Sequence, residues 1–151
     1  MKPLLILITL SVSLSLKSQT GITKYDKALA DSLGADEYGM KTYFLVILKT
    51  GPNTTESKES RDKIFRGHMD NMIRLEKINK PIVAGPFRQN DKSYRGLFIL
   101  SCTSIGEANK ILETDPAVKA KVLDTEIFEW YGSAALPLYL KDVEKIQKKS
   151  Y

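Results

Sequence analysis

One histidine stands in the 151 residues, His68, and imidazole is the side chain whose ordinary charge change falls near neutral pH. A helix is expected from about Lys58 to Asn79. Turned at about 100° per residue, it puts His68 near the middle of its apolar face. Ile64, Phe65, Met72 and Leu75 lie on either side, with Met69 and Ile78 at the edges. Lys63, Arg66, Asp70, Arg74 and Lys77 fall on the far side, and Glu76 strays toward the apolar arc. The one group able to trade a proton therefore points at the core. Gly67 beside it costs roughly 1 kcal/mol against alanine in a helix interior, which suggests close packing there. A lone histidine on an apolar face is more often a hydrogen-bonded core residue than a catalyst. A core histidine strands its partner when removed, at roughly 1–3 kcal/mol. In a pocket wall it is a polar group held at a cost, and His68→Leu is then expected to be neutral or stabilising.

Other chemistries find little support. Ser93, Ser101 and Cys102 lie in no nucleophile elbow or Cys–His motif. One histidine and no clustered cysteines leave too few ligands for a metal site, and no cofactor is expected. There is no Gly-rich phosphate loop, and Gly85-Pro86 reads as the end of a strand.

The N-terminus carries Lys2, then an apolar run from Leu4 to Leu16 interrupted only by Thr and Ser. Small residues at Ser13, Ser15 and Ser18 complete the pattern of a secretory signal peptide over residues 1–18. The run is too short for a comfortable transmembrane span. No cysteine follows it closely, so a lipoprotein anchor is not indicated, and a periplasmic or secreted protein with no membrane attachment is expected. Without Lys2 and Lys17, 21 basic side chains face 18 acidic ones. That excess is too small to argue for nucleic acid, no aromatic-interleaved basic stripe appears, and Lys141–Lys149 reads as a solvated tail. Cys102 is the only cysteine, so no internal disulfide can form, and it is expected to be a buried strand residue. Residues 19–40 read as a helical extension, 41–132 as one domain with one core, and 133–151 as a tail.

Along the chain, Thr23-Lys24-Tyr25-Asp26 resembles a capping box for a short helix ending at Gly34, with Tyr25, Ala28, Leu29 and Leu33 on one side. Tyr43 to Leu48, apolar at every position, is the first strand. Ile82–Ala84, closed by Gly85-Pro86, is a short edge strand, and Tyr94 to Cys102 is a third. Ser104-Ile105-Gly106-Glu107 is a capping box opening a helix with Ile105, Ala108, Ile111 and Leu112 inward. Asp115-Pro116 is an N-cap followed by proline at the first helical position. Thr125 to Tyr131 is the fourth strand, and Leu140, Val143 and Ile146 allow a further amphipathic turn or two. The order strand–helix–strand–strand–helix–strand is the ferredoxin-like α+β pattern, an antiparallel βαββαβ sheet with its helices on one face. Its first and third strands are central. Their second face is also apolar, and a second subunit is the simplest cover, with the N-terminal helix or the tail as alternatives.

Leu45-Val46-Ile47-Leu48-Lys49-Thr50-Gly51-Pro52-Asn53, Gly67-His68-Met69, Val83-Ala84-Gly85-Pro86-Phe87, Gly96-Leu97-Phe98-Ile99-Leu100 and Asp115-Pro116-Ala117-Val118-Lys119-Ala120 follow one another in order. With Glu129-Trp130-Tyr131-Gly132 they resemble the YCII-related (YciI-like) domain, from about Tyr43 to Gly132. The resemblance implies a fold that pairs into a dimeric α+β barrel. It also implies a pocket where a histidine on the first helix of the fold, here His68, meets the aspartate of an Asp-Pro pair, here Asp115. Some members are similar to small-molecule dehydrochlorinases and, through the wider superfamily, to muconolactone-type isomerases. The chain departs from the pattern at Lys121, where a glycine often follows the Val-x-Ala run. That bears on the pocket wall rather than on the dyad.

An imidazole oriented by a carboxylate can take a proton from carbon or oxygen and return it elsewhere. This suffices for loss of HX or for proton relocation in an activated small molecule. Asp115 has a plainer role open to it, capping the helix that Pro116 begins, worth about 0.5–2 kcal/mol. Two functions therefore stand: an exported lyase or isomerase using His68 and Asp115, or a non-catalytic dimeric domain that binds a small ligand or serves as a scaffold. The signal segment is expected to be cleaved near Ser15 to Gln19, and N-terminal sequencing of the exported protein checks it. Met1 or Lys2 intact on membrane-bound material would mean an anchor instead.

Overall fold

The apolar run Tyr43–Leu48 forms the middle of a longer strand, β1 (Met40–Thr50), and the rest of the sheet is built on both its sides. The computed structural model describes residues 24–149. The expected signal segment, residues 1–18, and Thr23 lie outside them. The described chain runs α1 (Lys27–Leu33), β1, α2 (Lys58–Lys77), β2 (Pro81–Pro86), β3 (Tyr94–Leu100), α3 (Ile105–Leu112), α4 (Pro116–Lys119) and β4 (Leu123–Ser133). A 3-10 turn (Leu136–Tyr139), α5 (Leu140–Val143) and a second 3-10 turn (Glu144–Ile146) follow. The strand order is β2-β3-β1-β4, and every pairing is antiparallel. This is the expected ferredoxin-like sheet, with β1 and β3 central.

Pairing makes the strands longer than local pattern suggests. β1 aligns with β4 from Met40↔Ser133 to Thr50↔Leu123 without a break, so the polar Lys41, Thr42 and Gly132 join a ladder that hydropathy alone does not mark. β2 extends to Pro86 at a sheet edge, where a missing N–H costs no ladder bond. β3 stops at Leu100. Cys102 therefore sits past the strand rather than in it, half-buried against the core.

Phe44, Val46 and Leu48 of β1 and Phe98 and Leu100 of β3 share one face. They pack with Leu75 of α2, Ala108, Ile111 and Leu112 of α3, and Ala117 of α4 as the main core. The other face carries Tyr43, Leu45, Ile47, Phe128 and Trp130. Tyr43 and Ile47, expected to need an outside cover, are already buried within the chain. The Tyr43 ring lies 5.9 Å from that of Trp130 and 5.0 Å from Lys41 Nζ, and its hydroxyl donates to the Ser133 carbonyl at 2.9 Å. Phe128 and Trp130 stay exposed. No residue of α1 is buried, so α1 does not cover the sheet. After β4, at one edge, the tail reaches the other, where the Tyr139 hydroxyl donates to the Ile82 carbonyl.

The helix ends follow local chemistry. Asp26, not Thr23, caps α1, its carboxylate accepting from Leu29 N at 3.0 Å, and Gly34 ends the helix at φ 68. Ser57 caps α2 by accepting from Ser60 N at 3.1 Å. Two reciprocal bonds close α2 as a Schellman motif, Asn79 N to Glu76 O at 2.9 Å and Lys80 N to Leu75 O at 3.2 Å. Ser104 Oγ accepts from Glu107 N at 3.1 Å, but the Glu107 carboxylate turns back to Thr103 N at 2.9 Å rather than to the cap residue.

The segment between β1 and α2 is fastened to the turn after α4. Gly51 N donates to Val122 O at 2.9 Å and Asn53 N to Lys121 O at 3.0 Å, while Asn53 Nδ2 donates to Ala120 O at 2.9 Å. A Cβ on Gly51 would lie 2.2 Å from the Lys121 carbonyl oxygen, so only glycine fits that approach. Lys121 itself takes the left-handed conformation, φ 54. That conformation in a residue with a Cβ costs the backbone about 1–2 kcal/mol. Lys121→Gly is expected to raise stability by about 1 kcal/mol in urea unfolding, relief of the φ cost exceeding the added freedom of the unfolded chain. No gain would mean that the lysine side chain repays the strain through contacts of its own.

Candidate functional site

α2 crosses α4 closely because Gly67 lets it. A Cβ there would meet Pro116 Cγ at 3.1 Å and Cβ at 3.4 Å, tighter than ordinary contact. That accounts for a glycine in a helix interior, and it puts the next residue, His68, against the start of α4. The Phe65 ring stands edge-on to the imidazole, with centroids 6.2 Å apart at 83°.

Asp115 is the N-cap of α4, and its two oxygens go to different donors. Oδ1 accepts from Ala117 N at 2.9 Å, and Oδ2 accepts from His68 Nδ1 at 2.6 Å. The side chains are 14% and 3% exposed for His68 and Asp115. The two residues singled out in the sequence thus meet, although they stand 47 positions apart. A carboxylate only accepts, so Nδ1 carries the proton and the lone pair of the neutral ring lies at Nε2. Nε2 has no hydrogen-bond partner among the described residues, and the side chain keeps some exposure. One nitrogen is pinned and the other is open.

This geometry changes what a leucine would do. His68→Leu leaves Oδ2 buried with no donor, at roughly 1–3 kcal/mol, whatever His68 is for. A replacement that separates chemistry from packing must keep an N–H toward Asp115.

A second cluster adjoins the pair. Asn71, one turn along α2 and 7% exposed, accepts at Oδ1 from Arg74 Nε at 3.2 Å and Arg74 Nη2 at 2.8 Å. Thr114 Oγ1 lies 3.1 Å from the same oxygen. Asn71 Nδ2 is buried without a partner. Sequence reading passed over Asn71 and Thr114 and set Arg74 on the far side of the helix. The available signals were adjacency to Asp115 and the three-residue step from His68. Phe65 also lines an open depression of about 450 Å³ on the flank of α2, with Asp62, Arg66, Met69 and Asp70. Burial, with Glu107 nearby, pushes the Cys102 thiol up, away from thiolate chemistry. Among the described residues no group of His, Cys, Asp and Glu could hold a metal ion, and no helix is long and apolar enough to cross a membrane.

No curated protein matches the chain. Among solved structures it is similar to the 5-chloro-2-hydroxyhydroquinone dehydrochlorinase (TftG) from Burkholderia phenoliruptrix AC1100, in complex with 2,5-dihydroxybenzoquinone. The identity is 25%, over 58% of this chain and 92% of that one, with a TM-score of 0.43. The model of the YCII-related domain matches residues 42–131, which take in most of β1, all of α2 to α4 and most of β4, with His68 and Asp115 among them. With that match over more than half its length, the chain belongs to the YCII-related domain family.

Proposed function

We propose that the protein is a small-molecule lyase or isomerase in which His68 transfers the proton and Asp115 orients it. The carrying observation is the 2.6 Å bond from His68 Nδ1 to a buried carboxylate, which leaves Nε2 free for a ligand. The neutral ring takes a proton at Nε2 from an activated C–H or O–H of the ligand. The imidazolium so formed keeps its Nδ1–H on Asp115, whose negative charge offsets the new positive one. Returning the proton to a different atom of the same ligand completes an isomerisation. Passing it to the anion that the ligand expels completes the loss of HX and restores the neutral ring. Neither route draws on a cofactor.

The working form in this reading is an exported homodimer, periplasmic or secreted, with two sheets facing across Phe128 and Trp130. Large apolar side chains left in water on one face favour a two-fold partner. Light scattering is expected to give twice the chain mass at micromolar concentration, and a monomer mass at every dilution would remove the dimer.

A second reading keeps a specific observation in its favour. Asp115 Oδ1 caps α4, so the buried carboxylate has a structural use without any turnover. A non-catalytic domain that binds a small ligand would show the same bond.

Thermal-shift screening of small molecules, followed by turnover of the hits, separates the two. His68→Asn retains an N–H toward Asp115 and removes Nε2. It is expected to hold stability within about 1 kcal/mol while lowering turnover by about 100-fold or more. Asp115→Asn keeps a capping oxygen, since Asn caps about as well as Asp, yet removes the charge that supports an imidazolium. Its turnover is also expected to fall. Ligands that bind without ever being converted, equally to the unaltered protein and to His68→Asn, would establish the binding domain and dismiss the enzyme.

A further inference from the structure

We infer that Asn71, Arg74 and Thr114 form the positioning clamp of the His68–Asp115 pair, holding the corner before α4 against α2. The inference rests on the acid–base reading of that pair. Asp115 sits at the end of a short corner, Glu113 to Asp115, between α3 and a helix of only four residues. That helix gives the Asp115 carboxylate one bond, from Ala117 N to Oδ1 at 2.9 Å, and leaves Oδ2 to α2. Beyond the His68 bond itself, the side-chain hydrogen bonds between this corner and α2 are those of Thr114 with Asn71 and Arg74.

The protons in this cluster can be assigned. A threonine hydroxyl has one hydrogen, and Thr114 Oγ1 lies 2.6 Å from the Ile111 carbonyl but 3.1 Å from Asn71 Oδ1. The shorter contact takes the hydrogen, leaving two acceptor oxygens facing each other. Arg74 Nη2 has two hydrogens and stands 2.8 Å from each of those oxygens. The guanidinium therefore bridges Asn71 and Thr114 and joins α2 to the corner. Rotating the Asn71 amide would turn its NH2 onto the guanidinium, donor against donor, so the orientation is set by the network.

Stability alone does not account for Asn71. Its Nδ2 is buried without a partner, and an orphan donor is a destabilising feature. An apolar residue would fill the same space without one. What the asparagine supplies is an oxygen that gathers Arg74 beside Thr114, the immediate neighbour of Asp115. These are positioning residues, since the groups in contact with one another stop short of Nε2.

Because His68 is the only histidine, its ring signals are unambiguous in protein labelled with 15N-histidine. With the ring neutral, the unaltered protein is expected to show the Nδ1–H tautomer and a slowly exchanging Nδ1 proton. Thr114→Val, close to isosteric, and Arg74→Met are each expected to speed that exchange by about tenfold, the change in an opening equilibrium when about one net hydrogen bond is lost. Both should also admit the Nε2–H tautomer, whereas Thr114→Ser keeps the unaltered signature. Asp115→Asn is the control that must disturb it. If Thr114→Val and Arg74→Met leave exchange and tautomer unchanged while Asp115→Asn alters them, the clamp is overturned and the acid–base reading survives. If the unaltered protein already holds the Nε2–H tautomer, the acid–base reading falls and the clamp with it.

Discussion

Asp115 serves two donors with one carboxylate, and the arrangement of the helices follows from that. Oδ1 closes the first turn of α4 on Ala117 N, and Oδ2 receives His68 Nδ1 from α2. The group is 3% exposed, so water cannot take over from either donor. A buried carboxylate that lost one of them would be left partly uncompensated, which fixes the separation of α2 and α4 within hydrogen-bond tolerance. The surrounding chain is shaped to allow it. Gly67 removes the Cβ that would strike Pro116, and Gly51 and Asn53 tie the entry to α2 onto the turn that leaves α4. Behind both lies β1, whose helix-facing residues Phe44, Val46 and Leu48 give the helices a common floor.

Several of the chain's local costs lie beside α4. Just before it stands the corner held by Asn71, whose Nδ2 is buried without a partner. At its cap is a buried carboxylate, and just after it Lys121 occupies left-handed backbone. Asn79 and Ser93, away from α4, also take left-handed backbone, at φ 52 and 57, while Gly34 takes the positive φ that ends α1 and the proline closing β2 lies at a sheet edge.

Much of the fold was legible because its signals are local. Apolar residues on both faces of Tyr43–Leu48 and of Leu97–Leu100 mark central strands, and the three-to-four-residue rhythm around His68 marks a helix. Strand lengths were not legible, since Lys41, Thr42 and Gly132 are strand residues only through their partners across the ladder. The cap of α1 was misplaced because two good capping residues, Thr23 and Asp26, lie three positions apart, and the later one is used. The His68–Asp115 contact is long-range, and nothing local in either residue demands the other. It came from the resemblance and not from spacing. Arg74 was set on the far side because a helical wheel places Cα atoms, while a guanidinium on a long stem can reach back around the helix. The uncovered sheet face was read correctly as apolar, but Tyr43 and Ile47 find cover within the chain. The exposure passes to Phe128 and Trp130.

His68 is held by one nitrogen and leaves the other without a partner among the described residues. Diethyl pyrocarbonate acylates an unprotonated, accessible imidazole nitrogen, and the chain has one histidine to modify. Timed modification of the folded protein, read by mass spectrometry of the peptide that carries His68, measures that access directly. One addition is expected, at Nε2, on the timescale of an ordinary accessible histidine and without loss of the folded state. A His68 that stays unmodified until denaturant unfolds the chain would contradict this, and would make the histidine a sealed part of the core.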